Sequence, residues 1–373
     1  MIIRSIELKD FRNYEDLSIH FSPKTNIIYG DNAQGKTNIL ESAYVSGTSK
    51  SHKGSRDKEM IRFGQEEAHI RTFVEKGDRE YRIDIHLRSN RPKGVAVNRV
   101  PIKKISELLG ILNIVFFSPE DLNIIKNGPS ERRRFVDVEL CQLDKIYLSD
   151  LSNYNRVLAQ RNMLLKDMYS HPDLKDTLIV WDEQLITYGR RIIRRREKFI
   201  EQLAPIMHHL HDKISGGKED LVIDYEPSVT AEEFEKRLKQ QNAKDIKLAQ
   251  TSVGPHRDDI RFKIKDIDIR RFGSQGQQRS CALSLKLSEI RLVEEATGEV
   301  PVLLLDDVLS ELDAGRQNYL LDSLSGTQTI ITCTGLDEFV KMRFSMDKVF
   351  EVVSGTVTEK SSPVESTISS DPL

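Results

Sequence analysis

Apolar and polar residues alternate at the start of the chain, and the alternation predicts strands. Ile2, Ile3, Ile6 and Leu8 fit one half-buried strand, and Leu17, Ile19 and Phe21 fit another. Between them lies a polar, aromatic turn, Phe11-Arg12-Asn13-Tyr14. Thr25 to Tyr29 is short and apolar, as a buried strand is, and Asn38 to Val45 reads as the first turns of a helix. Alternation returns at 71–75, 81–85 and 94–97, which predicts antiparallel strands joined by polar turns such as Lys76-Gly77-Asp78. Ile111 to Phe117 is an apolar run suited to a core strand, closed by Ser118-Pro119-Glu120-Asp121. From Ser130 the texture changes. Residues 130–169 hold neither Gly nor Pro, and 173–204 hold only Gly189, so two long helical stretches parted near His171-Pro172 are expected. Forty helical residues span about 60 Å, enough for an arm that folds back as an antiparallel hairpin. A strand near Leu221–Tyr225, a charged helix from Ala231 to about Gln241, and a strand carrying Ile260, Phe262 and Ile264 follow. A helix from Ser280 to Glu295 and strands at 302–306 and 329–334 complete the pattern. The tail from about Glu359 to Leu373 is rich in Ser, Pro and Thr and is expected to be disordered.

A length of 373 residues suggests two domains, or one large domain with an insertion. With 31% charged and 38% hydrophobic residues the chain is globular with a highly charged surface, and a net charge of −2 leaves any nucleic-acid footprint to local patches. One patch is in the second helical stretch. There Trp181, Leu185, Ile192, Phe199 and Leu203 share one face, and Arg190, Arg191, Arg194, Arg195 and Lys198 share the other. Over 190–198, six basic residues against Glu197 leave +5. Such charges are either a solvated face or, because they repel one another without a polyanion, a seat for DNA. Arg132, Arg133 and Arg134 form a second cluster. Lys50, His52, Lys53, Arg56 and Lys58 fill a loop that is either solvated or phosphate-contacting. The three cysteines and nine histidines show no metal-ligand spacing or disulfide framework, which suits a reducing cytoplasm. No apolar run of about 18 residues predicts a membrane span, and Met1-Ile2-Ile3-Arg4 lacks the shape of a signal peptide.

The strongest chemical signal is Gly30-Asp31-Asn32-Ala33-Gln34-Gly35-Lys36-Thr37, which matches the phosphate-loop pattern of Gly, four residues and Gly-Lys-Ser/Thr. It sits between a predicted strand and a predicted helix, where backbone N–H groups converge on an anion and glycines let the backbone approach phosphate oxygens. Lys36 is then placed for the β- and γ-phosphates and Thr37 for Mg²⁺. The apolar run Val302-Leu303-Leu304-Leu305 ends in Asp306-Asp307, a core strand finishing where the metal needs an oxygen ligand. Asp306 is the expected metal ligand opposite Thr37, and Asp307 the carboxylate that polarises attacking water. Ahead of the helix from Ser280 lies Gly273-Ser274-Gln275-Gly276-Gln277-Gln278, a second anion-seeking helix end. Two such ends in one chain make sense if the second caps a γ-phosphate held by another copy, so that ATP joins a homodimer.

The phosphate loop, the Ser-x-Gly-Gln-Gln signature, and the Leu-Asp-Asp followed by Ser310-Glu311-Leu312-Asp313 are similar to those of ABC-type ATPases of DNA maintenance. Asp10-Phe11-Arg12-Asn13-Tyr14, Ser51-His52-Lys53, Phe117 to Leu122, Glu131 to Phe135 and Gly254-Pro255-His256-Arg257-Asp258 extend the resemblance. Together they make the chain to about residue 355 resemble the RecF family of bacterial recombination mediators. The resemblance implies an α/β fold: an ABC-type P-loop ATPase head of mixed β-sheets around helices, like the heads of SMC proteins, with an inserted α-helical arm domain. The head would comprise 1–125 and 251–358, the arm domain 126–250, and the tail 359–373. It further implies ATP and Mg²⁺ as ligands, with Gly30–Thr37 and Arg12 on the phosphates, Lys36, Asp306 and Asp307 catalytic, and Thr37 and Asp306 on the metal. Ser274, Gln275, Gly276 and Gln277 would act in trans, with Ser310 and Asp313 in the D-loop. The implied work is slow, DNA-stimulated ATP hydrolysis by an ATP-dependent dimer on gapped or junction DNA. With RecO and RecR it would promote RecA loading and the SOS response, in the cytoplasm and away from membranes.

This chain departs from the wider ABC pattern. Asp307 stands where most relatives carry glutamate, no glutamine follows Phe117, and the strand at 329–334 ends without a switch histidine, leaving Thr332 or Thr334 in that place. No Cys-x-x-Cys tips the arm. Two rivals remain from the residues alone: the ATPase subunit of a membrane transporter, which usually carries Leu-Ser-Gly-Gly-Gln, and a small-molecule P-loop kinase, which needs no second phosphate site.

Overall fold

The computed structural model describes residues 1–168, 171–324, 326–336 and 346–360, and within them the alternating N-terminal segments pair as strands. β1 (Ile2–Phe11) and β2 (Tyr14–His20) form an antiparallel hairpin that sets Phe11 opposite Tyr14. β3 (Thr25–Tyr29) leads through the phosphate loop into α1 (Lys36–Thr48). β4 (Glu67–Lys76), β5 (Arg79–Arg88), β6 (Gly94–Val97) and the short β7 (Val100–Pro101) join the hairpin in an outer sheet of order β2-β1-β4-β5-β6-β7. β8 (Ile114–Phe117), buried along its length, belongs to a second sheet.

The chain then enters a different compact unit. Its contacts divide it into unit 1, Met1–Asp121 with Glu289–Leu373, and unit 2, Leu122–Ser288. The expected return to the head at 251 therefore falls inside unit 2, and the signature segment folds with unit 2 as well. Its helices are α2 (Leu122–Lys126), α3 (Pro129–Leu143), α4 (Lys145–Asp167) and α5 (Leu178–Ser215). The single stretch expected over 130–169 is two helices. Asp144 ends α3 and caps α4, its carboxylate accepting from the N–H groups of Ile146 at 2.8 Å and Tyr147 at 3.0 Å. α4 and α5 pack antiparallel, since Arg161 meets Asp182 while Arg195 meets Asp150. α5 runs through Pro205 and past the expected end at 204.

β9 (Leu221–Glu226), α6 (Phe234–Leu248), β10 (Asp259–Ile264) and β11 (Ile267–Asp268) follow, the three strands forming an antiparallel sheet. A one-turn α7 (Ile269–Phe272) precedes α8 (Gln275–Thr297), which starts in unit 2 and ends in unit 1.

β12 (Val302–Asp306), α9 (Ala314–Asp322), β13 (Thr329–Cys333), β14 (Lys348–Val353) and β15 (Thr356–Lys360) complete unit 1. The core sheet has the order β15-β14-β3-β13-β12-β8 and is parallel except for β15. Its strands are near-continuous apolar runs, as strands covered on both faces must be. α1 lies between the two sheets: Leu40 and Val45 share one apolar cluster with Ile6, Ile70 and Ile85 outside and Ile28, Leu304 and Ile330 in the core. Because β3, β12 and β13 are parallel and adjacent, their C-terminal ends, and the loops that follow, share one edge. Of the tail expected from Glu359, Glu359 and Lys360 instead belong to β15, pairing with Phe350 and Val349; residues 361–373 lie outside the described residues. Among the described residues no helix is long and apolar enough to cross a membrane.

Candidate nucleotide site

β3 ends at Tyr29 and the chain turns away with Gly30 at φ 148°, Ala33 at φ 64° and Gly35 at φ 113°. A Cβ on Gly30 would run into the Val352 carbonyl, and one on Gly35 into the Asn13 side chain and the Tyr14 hydroxyl. These two glycines are thus required both by their backbone angles and by what packs behind them. The β1–β2 turn holds the loop from that side. Asn13 Nδ2 donates to the Gln34 carbonyl at 3.1 Å, and the Tyr14 hydroxyl donates to the Gly35 carbonyl at 3.1 Å. Burial pushes the Tyr14 pKa well above its usual value, so the hydroxyl remains a donor. Ser354 donates its N–H to Gln34 Oε1.

α1 begins at Lys36 with no side chain capping its first N–H groups and no acidic residue in its first turn. Those N–H groups and the helix dipole suit an anion at the loop. Lys36 is buried, and its ammonium donates to the Gly30 carbonyl at 2.5 Å and the Asp31 carbonyl at 2.7 Å. Carbonyl oxygens here stand in for the more strongly charged phosphate oxygens that an ammonium prefers.

Thr37 Oγ1 donates to Asp306 Oδ1 at 2.8 Å, joining the loop to the end of β12 across 269 positions of sequence. Thr332, at the matching position of β13, donates to the same oxygen at 2.7 Å. Its Oγ1 also accepts the Asp307 N–H at 3.1 Å. Asp307 leaves the strand with φ 53°, a left-handed conformation that aspartate tolerates better than most residues and that concentrates at functional sites. The Ser310 hydroxyl donates to the Asp307 carbonyl at 2.8 Å, and Asp313 caps α9 by accepting the Arg316 N–H at 3.1 Å. That N–H lowers the Asp313 pKa, helped by the Arg316 guanidinium. A hydroxyl and a carboxylate side by side at the foot of a glycine cradle are the oxygen donors Mg²⁺ takes, so the donor set fits a metal-bound phosphate chain.

Of the two threonines left open by the missing histidine, Thr332 is the one against the Asp306 carboxylate, while Thr334 is exposed. Arg12 makes no hydrogen bond to the loop among the described residues. Its guanidinium grips buried Glu41 of α1 with two hydrogen bonds of 2.7 Å and also reaches the Glu59 carbonyl and Ser55. Burial raises the Glu41 pKa, but hydrogen bonds from Arg12 and Ser51 outweigh it and the net shift is downward. Glu41 escaped sequence reading because a glutamate inside a helix carries no motif; its one signal is an acid among buried neighbours.

In unit 2 the signature serine is the N-cap of α8. Ser274 Oγ accepts the Gln277 N–H at 3.2 Å and Gln277 Oε1 accepts the Ser274 N–H at 2.9 Å, a reciprocal capping box. Accepting from Gln277 leaves the hydroxyl proton able to donate outward. Gln275 and Gly276 follow in the first turn.

The basic helix departs from expectation. Arg195 pairs with Asp144 at 2.7 Å and Asp150 at 2.9 Å, Arg191 with Asp150 at 3.4 Å, Arg190 with Glu235 at 3.3 Å, and Arg194 with Glu232 at 3.1 Å. The excess of charge along α5 is therefore met by acids from α4, α6 and the segments before them, and no polyanion is needed to explain it. Lys198 is exposed and makes no ion pair among the described residues. Arg132 is a correction to the candidate DNA contacts: it is buried, and it grips Asp259 at 2.6 Å and the carbonyls of Ile124 and Asn127. Arg133 donates to the Asp258 carbonyl at 2.7 Å. Elsewhere in unit 1, Glu67, His69 and His86 bring ligand atoms within 4.8 Å of one another. Arg88 donates to His86 Nδ1 at 2.9 Å, fixing the proton on Nε2 toward Glu67, so the group is a hydrogen-bonded surface cluster.

The RecF/RecN/SMC N terminal domain matches residues 2–358. The DNA replication and repair protein RecF of Agathobacter rectalis is 68% identical over 357 residues, covering 96% of this chain and 99% of that protein. A solved structure of the recombination mediator protein RecF with ATP, of the RecFOR pathway, superposes with a TM-score of 0.90 at 39% identity, over 96% of this chain and 97% of that one. The Smc head domain of Pyrococcus furiosus with an extended coiled coil, bound to the C-terminal domain of ScpA, matches with a TM-score of 0.57 at 18% identity, over 98% of this chain and 97% of that one. That last likeness shows the fold alone, an ABC-type head.

Proposed function

The chain belongs to the RecF family of DNA replication and repair proteins, and from that premise we propose that it is an ATP-dependent, DNA-binding recombination mediator that dimerises around ATP. The observation that carries the reading is the junction of Thr37 with Asp306 at 2.8 Å beneath a loop whose glycines cannot be replaced.

Gly30 to Thr37 bind the phosphates, with Lys36 exchanging its two loop carbonyls for phosphate oxygens. Thr37 and Asp306 would hold Mg²⁺, which would supply charge neutralisation for the phosphate chain. Asp307 orients the attacking water; it is one methylene shorter than glutamate, which favours slow turnover and a switch over a motor. Thr332 fixes the Asp306 carboxylate through its Oδ1 and the Asp307 backbone through its N–H. Ser310 ties the D-loop to the Asp307 backbone, so movement at the D-loop reaches the water-orienting group. Ser274, Gln275, Gly276 and Gln277 act on the ATP of a second copy, with Ser310 and Asp313 beside them. The dimer works on gapped or junction DNA and, with RecO and RecR, promotes RecA loading in repair, replication restart and SOS induction.

Sedimentation with and without ATP tests the composite site. The wild type is expected to become a dimer with ATP, and Ser274→Arg to stay monomeric while still binding nucleotide. A wild type that stays monomeric at micromolar concentration with saturating ATP refutes the reading.

A further inference from the structure

Resting on that reading, we infer that Arg270, Arg271 and Phe272 form a preset ledge on which the nucleotide-loaded face of a second copy docks. The three residues are the exposed part of α7, immediately before the signature. Phe272 is 74% exposed, and neither guanidinium makes a hydrogen bond or ion pair among the described residues. Elsewhere in unit 2 arginines are extensively paired, so two adjacent unpaired ones beside an open aromatic ring stand out.

The ledge is rigid. Asp268 caps α7 by accepting the Arg270 N–H at 2.9 Å, and Ile269 anchors the turn in the core. The Ile269 carbonyl then accepts twice, from the Gly273 N–H at 3.0 Å and from the buried Gln278 side chain at 3.1 Å. Gln278 lies on α8 one turn past Ser274, so one carbonyl clamps the ledge to the signature helix. Gly273 is held so close that a Cβ there would lie 2.5 Å from the same carbonyl. A ring and two cations held in place lose little conformational freedom on docking, and arginine and aromatic residues dominate binding energy at interfaces.

Charge identifies the occupant. The phosphate loop of unit 1 exposes Asp31, whose carboxylate has no partner among the described residues, and bound triphosphate adds further negative charge to that face. Arg270 and Arg271 are complementary to it, and a ledge fixed next to Ser274 reaches a second copy's loop whenever Ser274 reaches its γ-phosphate. The phenyl ring supplies the apolar contact at the centre of the patch.

The test is sedimentation equilibrium with ATP on wild type and on Arg270→Ala/Arg271→Ala/Phe272→Ala, with a fluorescent ATP analogue titrated into each at monomeric concentrations. The expected result is dimerisation weakened at least tenfold, about 1.4 kcal/mol, with nucleotide affinity and thermal midpoint unchanged. Asp31→Arg should weaken the dimer similarly, and Asp31→Arg with Arg271→Asp should recover part of the loss. Dimerisation of the triple variant within twofold of wild type overturns the ledge while leaving the composite site standing. The same result with lost affinity for duplex DNA assigns these residues to DNA and equally overturns it. A wild type that never dimerises with ATP removes both readings at once.

Discussion

The phosphate loop of unit 1 and the helical core of unit 2 treat positive charge in opposite ways. At the phosphate loop Lys36 is held by backbone carbonyls alone, and no acid neutralises it among the described contacts. Its ammonium keeps a net charge that a phosphate can claim. In unit 2 Arg161 is wholly buried and bonded to Asp182 at 2.7 Å, Asp245 at 2.8 Å, Thr251 at 2.8 Å and Asn242 at 2.9 Å. Arg196, likewise buried, meets Asp137, Asp258, Tyr147 and the Pro255 carbonyl. The first arrangement leaves a charge available for a ligand, and the second uses charge to fix the arrangement of helices. A basic residue in sequence therefore says little until its counter-charges are known.

Breaking the unit 2 arrangement gives the largest effect. Arg161→Ala leaves Asp182 and Asp245 facing one another without a cation, and removing one member of a buried pair costs about 3–5 kcal/mol. Denaturant unfolding should show unit 2 losing about that much, with nucleotide binding by unit 1 still measurable below the transition. If Arg161→Ala leaves the midpoint unchanged, the network is not what holds α4, α5 and α6 together.

Unit 1 yields next. Lys36→Ala should reduce affinity for ATP about 100-fold, near 2.7 kcal/mol, by removing the one buried ammonium at the loop. Its stability should change little, because the carbonyls it releases also accept water. Equal ATP affinity in the variant would mean that the loop's N–H groups suffice.

The difference also explains what could be read in advance. The site in unit 1 was legible because its parts are local: a loop eight residues long and an acid pair at a strand end. The parallel strands β3, β13 and β12 carry them to one edge. The individual strands followed from the same alternation and apolar runs, while the fold class was implied by the family resemblance of the motifs. Of the contacts that tune the site, Thr332 was one of two threonines left open and strand register decides between them, while Glu41 was illegible because only packing brings it to Arg12. Unit 2 read less well for the same physical reason. Asp144, Asp150, Glu232 and Glu235 lie 38 to 51 positions from the arginines they pair with. Periodicity shows a face, not what is packed against it. Asp144 also hid a helix break, because a capping aspartate in a run without Gly or Pro reads as one more charged helical position.

A third effect is smaller and depends on pH. The Tyr154 hydroxyl donates to His256 Nδ1 at 2.7 Å, and His256 Nε2–H donates to the Thr251 carbonyl at 3.1 Å. Burial lowers its pKa from 6.5 to about 4. The unfolded chain thus takes up a proton near pH 6.5 that the folded unit refuses until about pH 4, and stability falls as pH drops through that window. From pH 7 to pH 5 the loss is about 2 kcal/mol. His256→Gln should flatten the profile there. A wild-type profile with no loss between pH 7 and pH 5 would show that His256 protonates in place.

The smallest effects separate charge that is merely present on α5 from charge that is available. Arg194 and Glu232 pair in water, 61% and 70% exposed, so Arg194→Glu should move stability by less than about 0.5 kcal/mol. Arg195, which grips Asp144 and Asp150, is committed to the fold in the way Arg196 is. Lys198 is the free cation of this face among the described residues. If duplex DNA lies along α5, Lys198→Glu should reduce the slope of log affinity against log salt by about one, as loss of a single phosphate contact does. Arg195→Gln should leave that slope nearly unchanged while lowering stability. Equal slopes for wild type and Lys198→Glu would mean that α5 is a structural strut whose arginines answer only to their own acids, and the DNA path would have to be sought on another face.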